Sequence, residues 1–287
     1  MVTSPAGRTS PGGRWSDLDR PPLRAAALTA ALIRNGFVTD LRVVPRTAST
    51  NDDLAALAAS GAPEGAVLVA EAQTDGRGRL DRRWVSPPRA GLTFSALLRP
   101  PPAVPAHRVT WLPLLAGLAV QQAVQRIGAV ETRLKWPNDV LLGPDRAKVG
   151  GLLAQSAAGA VVIGIGLNVL TRRAELPPGA TSLAAEGAEC TDRDPVLRAV
   201  LRRLGTLYAD WVAAAGDPDV SGLCRAYQRV CDTLGGELLV LLPGGAELTG
   251  VGTGLDHAGR LLLDTADGPR AVSAGDVIHV RNAPTGA

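Results

Sequence analysis

The sequence is short of aromatic residues, of cysteine and of lysine, and each shortage excludes a class of protein. Its three cysteines, Cys190, Cys224 and Cys231, are odd in number and none has CxxC spacing. That argues against a disulfide framework, and they read as thiols in a reducing compartment. Aromatics make up 3% of the chain, which leaves few stacking platforms for single-stranded nucleic acid. The net charge is only +3 and no block of like charges occurs, so the chain does not read as a nucleic-acid protein on charge. The most apolar stretch, 109–120, is interrupted by Thr110, Pro113 and Gly117 and falls well short of the roughly 20 residues that span a bilayer. No apolar segment follows the N-terminus as a secretory leader requires, so a cytoplasmic protein is expected. There is no Walker A motif, and the third glycine of a dinucleotide fingerprint is missing.

What is present suffices for an ordinary core: 46% hydrophobic and 20% charged residues in 287, enough for one large domain with a small one. Only two of the 30 basic residues are lysines, Lys135 and Lys148. In a chain so biased to arginine, a retained lysine suggests a site that needs a compact ammonium rather than a planar fork.

Residues 1–21, rich in Pro, Gly, Ser and Arg, read as a disordered tail. Helical spacing follows over 23–35, and strands are expected at 41–45, 66–71 and 92–98. A buried helix is expected over 109–127. Two Val/Ile/Leu runs, 148–155 and 160–169, form a hairpin at the centre of a sheet. Asp194-Pro195 opens a helix to about 214, and another covers 220–233. After Gly235-Gly236 come short β-runs at 237–242, 247–253, 260–264, 270–272 and 276–280, which suggest a small β-barrel separate from an α+β body. The divisions are a tail (1–21), a main domain (22–234) and a small domain (235–282).

Ser49-Thr50-Asn51-Asp52-Asp53 offers N-cap candidates ahead of an Ala/Leu helix. Four further segments carry chemistry. The stretch from Glu71 through Gln73 to Gly76-Arg77-Gly78-Arg79, Arg82, Arg83 and Trp84 crowds arginine forks, suited to phosphate or carboxylate, beside glycines that let a ligand approach the backbone. Trp84 either stacks on a purine or packs. In Lys135-Trp136-Pro137-Asn138-Asp139, a lysine beside a carboxylate can neutralise phosphate and help hold Mg²⁺. In Lys148-Val149-Gly150-Gly151 the ammonium points into a pocket at a strand end, and the glycines mark a bulge or a ligand contact. In Gly164-Ile165-Gly166-Leu167-Asn168-Val169, Asn168 is a lone polar group in an apolar strand and bonds a ligand or the backbone.

In this order, the segments resemble those of biotin protein ligases, from about Arg42 to Arg281 and including Ser273-Ala274-Gly275-Asp276-Val277. The resemblance implies a class II synthetase-like biotin/lipoate ligase domain, α+β with a mixed sheet packed with helices, and a C-terminal SH3-like β-barrel. It implies ATP, Mg²⁺ and biotin as reactants, biotinyl-5′-AMP as intermediate, and a lysine of a biotin carboxyl carrier domain of an acyl-CoA or pyruvate carboxylase as acceptor. Ser49, Thr50, Asn51, Gln73, Gly76, Arg77, Gly78, Arg79, Lys148 and Gly151 then match biotin-binding positions. Arg79, Arg82, Trp84, Lys135, Asn138, Asp139 and Asn168 match positions near ATP or the adenylate. Lys148, Lys135 and Arg79 match the catalytic cations, and Asp139 a metal ligand. Asp81 stands where the family has glycine and alters the loop beside Arg82. The chain before Arg42 is too short for a winged helix–turn–helix, so no sequence-specific DNA binding is expected, and the protein acts as a monomer or homodimer. The loop is expected to order on adenylate formation. The competing readings are a lipoate ligase or lipoyl transferase of the same fold, and a basic RNA-binding module.

Overall fold

The computed structural model describes residues 19–279 apart from Asn35, Asp81 and Ala274. Most of the expected disordered tail therefore lies outside the described residues. So do Asn35, the Asp81 departure, Ala274 of the end segment, and the end of the last predicted strand with Val280 and Arg281.

The main body is a seven-stranded mixed sheet in the order β1-β2-β3-β7-β6-β5-β4. Its strands are β1 (Asp40–Val44), β2 (Ala66–Ala70), β3 (Gly91–Leu98), β4 (Thr132–Lys135), β5 (Asp139–Leu142), β6 (Ala147–Ala157) and β7 (Ala160–Asn168). Only β1 and β2 pair in parallel. The predicted β6–β7 hairpin is present, with β7 at the sheet's centre.

Side chains alternate across this sheet with period two. Strand β3 sends Leu92, Phe94, Ala96 and Leu98 into the main core, and β7 sends Val161, Ile163, Ile165 and Leu167. Against that face pack α1 (Ala25–Leu32), α3 (Leu112–Gly128) and α4 (Arg193–Ala213). The other face carries α2 (Thr50–Ala59), whose Leu54 and Ala58 form a small cluster with Ala66, Leu68, Leu97, Ala160 and Val162. Beyond the N-terminus of α2 the same face presents Thr93, Ser95, Gly164, Gly166 and Asn168, all small or polar.

Where elements differ from expectation, a local competitor explains it. Pro113 has no N–H to donate, so the predicted start at 109 becomes a 3₁₀ segment, Ala106–Trp111, and α3 takes Pro113 into its first turn. Helix α4 starts before Asp194 because Asp192 caps it, accepting from the Asp194 N–H at 3.0 Å, while Arg24 occupies the Asp194 carboxylate. The helix expected over 220–233 shortens to α5 (Leu223–Gln228). Its continuation instead covers the edge strand β4, through Leu134 N–H to Val230 O and Asp232 N–H to Leu134 O, both 2.8 Å. Strands β4 and β5 are too short to show a period and were not anticipated.

The C-terminal part is an antiparallel sheet ordered β11-β10-β9-β8-β12, built from β8 (Glu237–Leu241), β9 (Glu247–Leu255), β10 (Leu261–Thr265), β11 (Gly268–Val272) and β12 (Asp276–His279). It is an SH3-like small domain, but not the closed barrel expected, because no pairing joins β11 to β12 among the described residues. Nor does it have a core of its own: Leu238, Val240, Leu255, Leu261, Leu263, Val272 and Val277 belong to the main cluster. The Trp111 and Trp136 indoles donate to His257 O (2.9 Å) and Gly259 O (3.0 Å), which ties the 256–260 turn to the body.

Residues 19–21, expected in the tail, are tethered to the body: Asp19 pairs with Arg172, Arg20 with Glu175, and Pro21 O accepts from Arg193. Cys224 and Cys231 are free and buried, and burial pushes both thiols up, away from nucleophilic character. No helix among the described residues is long and apolar enough to cross a membrane.

The β6–β7 turn, Ala158-Gly159, has both residues left-handed, φ 47° and 72°, as a two-residue type I′ turn requires. Alanine is strained there and asparagine is tolerated. Ala158→Asn is therefore expected to stabilise the protein by about 0.5–1 kcal/mol, read as a higher urea midpoint at unchanged m-value.

Candidate functional site

The small-residue face of the sheet floors a cavity of about 900 Å³, walled by the N-terminus of α2, the 71–90 loop, the β4–β5 hairpin and the 171–180 segment. Of the residues singled out from the sequence, Ser49, Thr50, Asn51, Gln73, Arg77, Gly78, Arg79, Arg82, Trp84, Asn138, Asp139, Lys148, Gly151 and Asn168 line it. Gly76 and Lys135 do not.

One end is neutral and hydrogen-bonding. Ser49 caps α2 by accepting from the Asp52 N–H. The Thr50 N–H and hydroxyl both donate to Gln73 Oε1, at 2.8 and 2.9 Å. A backbone N–H can only donate, so the carbonyl end of Gln73 is committed to Thr50 and its NH₂ is the end left to offer. Buried Ser95 donates to Asn51 Oδ1 (2.6 Å) and stands 2.8 Å from Thr50 Oγ1. Asn51 lies across Gly164, where a Cβ would come within 2.2 Å of Asn51 Oδ1.

The other end is charged. Strand β6 bulges opposite Val140/Leu141: Val140 pairs with Gly150 and Leu141 with Lys148, leaving Val149 as the extra residue. In an unbroken strand residues 148 and 151 would face opposite sides. The bulge turns both to the cavity, and a Cβ on Gly151 would meet Lys148 Nζ at 3.3 Å. Lys148 Nζ stands 2.5 Å from Asp139 Oδ1 as an ion pair. Asn138 bridges the strands, donating to Leu152 O (3.2 Å) and accepting from Arg79 Nη1 (3.0 Å).

Lys135 sits behind this group, cross-strand from Asp139. Burial lowers its pKa from the ordinary lysine value; Asp139 opposes the shift, and Lys148 and Arg82 add to it. Burial likewise lowers Arg79, with Asp139 opposing and Arg82 adding. The cavity thus gathers positive charge that an anion would stabilise. Among the described residues no three His, Cys, Asp or Glu side chains group as a metal site. A magnesium ion with few protein ligands fits, one that arrives on phosphates and takes a single carboxylate such as Asp139.

The basic loop is a small hairpin. Gly78 N–H bonds Arg82 O (2.6 Å), Trp84 N–H bonds Gly76 O (2.8 Å), and Leu80 at the tip is left-handed with φ 53°. Gly76 is structural: a Cβ there would strike Trp84 O and the Gln73 amide. Trp84 packs rather than standing free, its indole edge on Gly166. Arg77 pairs with Asp52 and Asp75, and Arg82 with Asp276 of β12. Asn168 donates to Thr181 O at 3.0 Å, the backbone-bonded alternative, and also lines the cavity.

The biotin/lipoate A/B protein ligase family profile matches residues 43–169, and the biotin protein ligase C-terminal domain profile matches 233–280. A biotin–[acetyl-CoA-carboxylase] ligase of Mycobacterium tuberculosis is 43% identical over 267 residues, 91% of this chain and 97% of that protein. The chain belongs to the biotin protein ligase family. A biotin protein ligase of Aquifex aeolicus solved with biotin and ATP superposes with TM-score 0.69 at 30% identity, over 85% of this chain and all of that one. A Leishmania major ligase solved with biotinyl-5-AMP does so with TM-score 0.56 at 25% identity, over 82% and 99%.

Sequence reasoning singled out the Gly164–Val169 segment but missed Thr93 on the floor, Ser95 behind Asn51, Thr171 and Glu175 in the far wall, and Asp276 in the rim. The alternation Gly164-x-Gly166-x-Asn168 was the available signal, since small residues on one face of a central strand leave room for something else.

A Cβ at Gly166 would come within 2.4–2.7 Å of the Trp84 indole. Gly166→Ala is therefore expected to displace Trp84 and destabilise the fold by about 1–3 kcal/mol, measured by urea unfolding.

Proposed function

We propose that the chain activates biotin with MgATP and transfers it to a lysine of a carboxylase's biotin carboxyl carrier domain. The supporting observation is one cavity with a neutral hydrogen-bonding end, at Ser49, Thr50 and Gln73, that runs into a cluster of Lys148, Arg79 and Arg82 with Lys135 behind it. A ureido ring suits the first end, because the Gln73 NH₂ donates and the Ser49 hydroxyl can do the same. A carboxylate meeting a triphosphate suits the second.

In the first step a biotin carboxylate oxygen attacks the α-phosphorus. A new P–O bond forms, the bond to the β-phosphate bridging oxygen breaks, and pyrophosphate leaves. The two anions repel, and the ammonium of Lys148 with the guanidinium of Arg79 offsets that repulsion and stabilises charge building on the phosphorus oxygens. Asp139 pairs with Lys148 and would hold Mg²⁺ carried by the nucleotide, which would neutralise phosphate charge there. Lys135 adds charge from behind. In the second step the acceptor's neutral lysine amine attacks the acyl carbon, AMP leaves with the C–O bond electrons, and the amine's proton goes to solvent. No side-chain nucleophile is needed, because the biotin carboxylate does the attacking. The protein acts as a monomer or homodimer, without sequence-specific DNA binding; residues 22–234 supply most of the cavity, and 235–282 are the smaller domain, which adds Asp276 to the rim.

Biotin-dependent ATP–pyrophosphate exchange tests this reading: exchange should require biotin and fall at least 100-fold, about 2.7 kcal/mol, in Lys148→Ala. Exchange that lipoate supports better than biotin would overturn it.

A second expectation concerns pH. Because burial sets Lys135 below its unfolded value, its protonated form costs the fold stability at neutral pH, and that cost is relieved as pH rises through the folded-state pKa. An anionic substrate needs the protonated form. The kcat/KM for exchange should therefore fall on the alkaline side before the ordinary lysine range near about 10.4 is reached. Lys135→Arg, which keeps its charge, should move that limb upward, measured as a pH–rate profile.

A further inference from the structure

A buried ion pair outside the cavity holds the base of the loop that encloses it. Arg193, at the first turn of α4, is 3% exposed and its Nη1 lies 2.6 Å from Glu71 Oε2, itself nearly buried. Glu71 is the residue that follows β2, where the basic loop begins. The same Nη1 donates to the Gly91 carbonyl at 3.2 Å, and Gly91 begins β3, where the loop ends. Nη2 donates to Pro21 O at 2.6 Å, and the Leu23 N–H donates to Glu71 Oε1 at 2.6 Å. One guanidinium therefore spans both feet of the loop and the incoming chain. Inside those feet the Arg89 N–H closes on Glu71 O (2.8 Å), and Gln73 lies two residues past the pair. Above them the hairpin of Gly78, Arg79 and Trp84 is exposed at its tip, where Leu80 is 54% exposed.

We propose that Arg193 is a positioning residue for ligand retention. By fixing Glu71 and Gly91 at one separation, it sets the angle at which the 76–84 hairpin stands over the cavity, and so how long an acyl-adenylate stays enclosed. It touches no reactant, since neither Arg193 nor Glu71 lines the main cavity. The pairing has a directional logic. A fork can reach a carboxylate and two backbone carbonyls at once, whereas an ammonium in the same place reaches fewer. The inference rests on the adenylation reading above.

The test uses the full chain with Glu71→Gln, which keeps shape and the bond from Leu23 N–H but removes the charge, and Arg193→Lys, which keeps the charge but loses the fork. Adenylate is formed from biotin and MgATP, and its release is followed by filter retention. Trypsin cleavage within residues 77–83 is followed with and without adenylate. Each variant should form adenylate and release it about tenfold faster than the wild type, and its loop should stay trypsin-sensitive when adenylate is present. The biotin KM should rise more than kcat falls. Variants that melt at lower temperature yet, while folded, retain adenylate and protect the loop as the wild type does would show a merely structural pair and overturn the proposal. If Glu71→Gln does not fold, Arg193→Lys gives the same two answers. Absence of exchange in the wild type would count against the adenylation reading instead.

Discussion

The two-sidedness of the central sheet is the constraint on which the rest of this protein depends. Strands β3 and β7 give their bulky residues to the core under α3 and α4, and reserve Thr93, Ser95, Gly164, Gly166 and Asn168 for the opposite face. A one-residue slip in either strand would exchange the two sets, burying polar groups and filling the cavity with isoleucine. The large core therefore does more than stabilise. It sets the register, and the register keeps the floor of the site open.

Charge is organised on that floor by a second device, the bulge in β6. It lets Lys148 and Gly151 share a face, so the ammonium stands over backbone rather than over another side chain. Burial lowers both Arg79 and Lys135; Asp139 opposes this at each, Arg82 adds to it at each, and Lys148 adds to it at Lys135. A site in that condition is held ready for an anion. The cations are already partly desolvated, and a carboxylate and a phosphate restore what the protein withholds.

The C-terminal sheet is a structural part of this arrangement and not an appendage. Trp136, inside the lysine motif, bonds Gly259, while Asp276 takes Arg82 from the basic hairpin. Removing an element that shares the main core and holds two site segments would disturb all of them. The buried Arg193–Glu71 pair has a comparable reach at the other end of the loop. Breaking one member of such a pair typically costs about 3–5 kcal/mol, because the partner remains buried and charged.

Much of this was legible in the residues alone. The hydrophobic runs determined the β6–β7 hairpin and the buried helix. The retention of lysine only at positions 135 and 148 in an arginine-rich chain singled out both cations, and the order of the motifs identified the family. What escaped was whatever depends on neighbours distant in sequence. Four-residue strands such as β4 and β5 show no period, and the end of the predicted 220–233 helix was captured by an open strand edge. The C-terminal strands stopped short of closing a barrel. Nor could residues 19–21 be known to be tethered before Arg172, Glu175 and Arg193 were seen beside them. Sequence determined which chemical groups the protein has and which segments are apolar, because those are properties of single residues and short periods. Only the tertiary structure decided which groups share a face, which ammonium points into the cavity and which arginine is already paired. Those outcomes follow from register, a bulge and burial, and no local pattern encodes them.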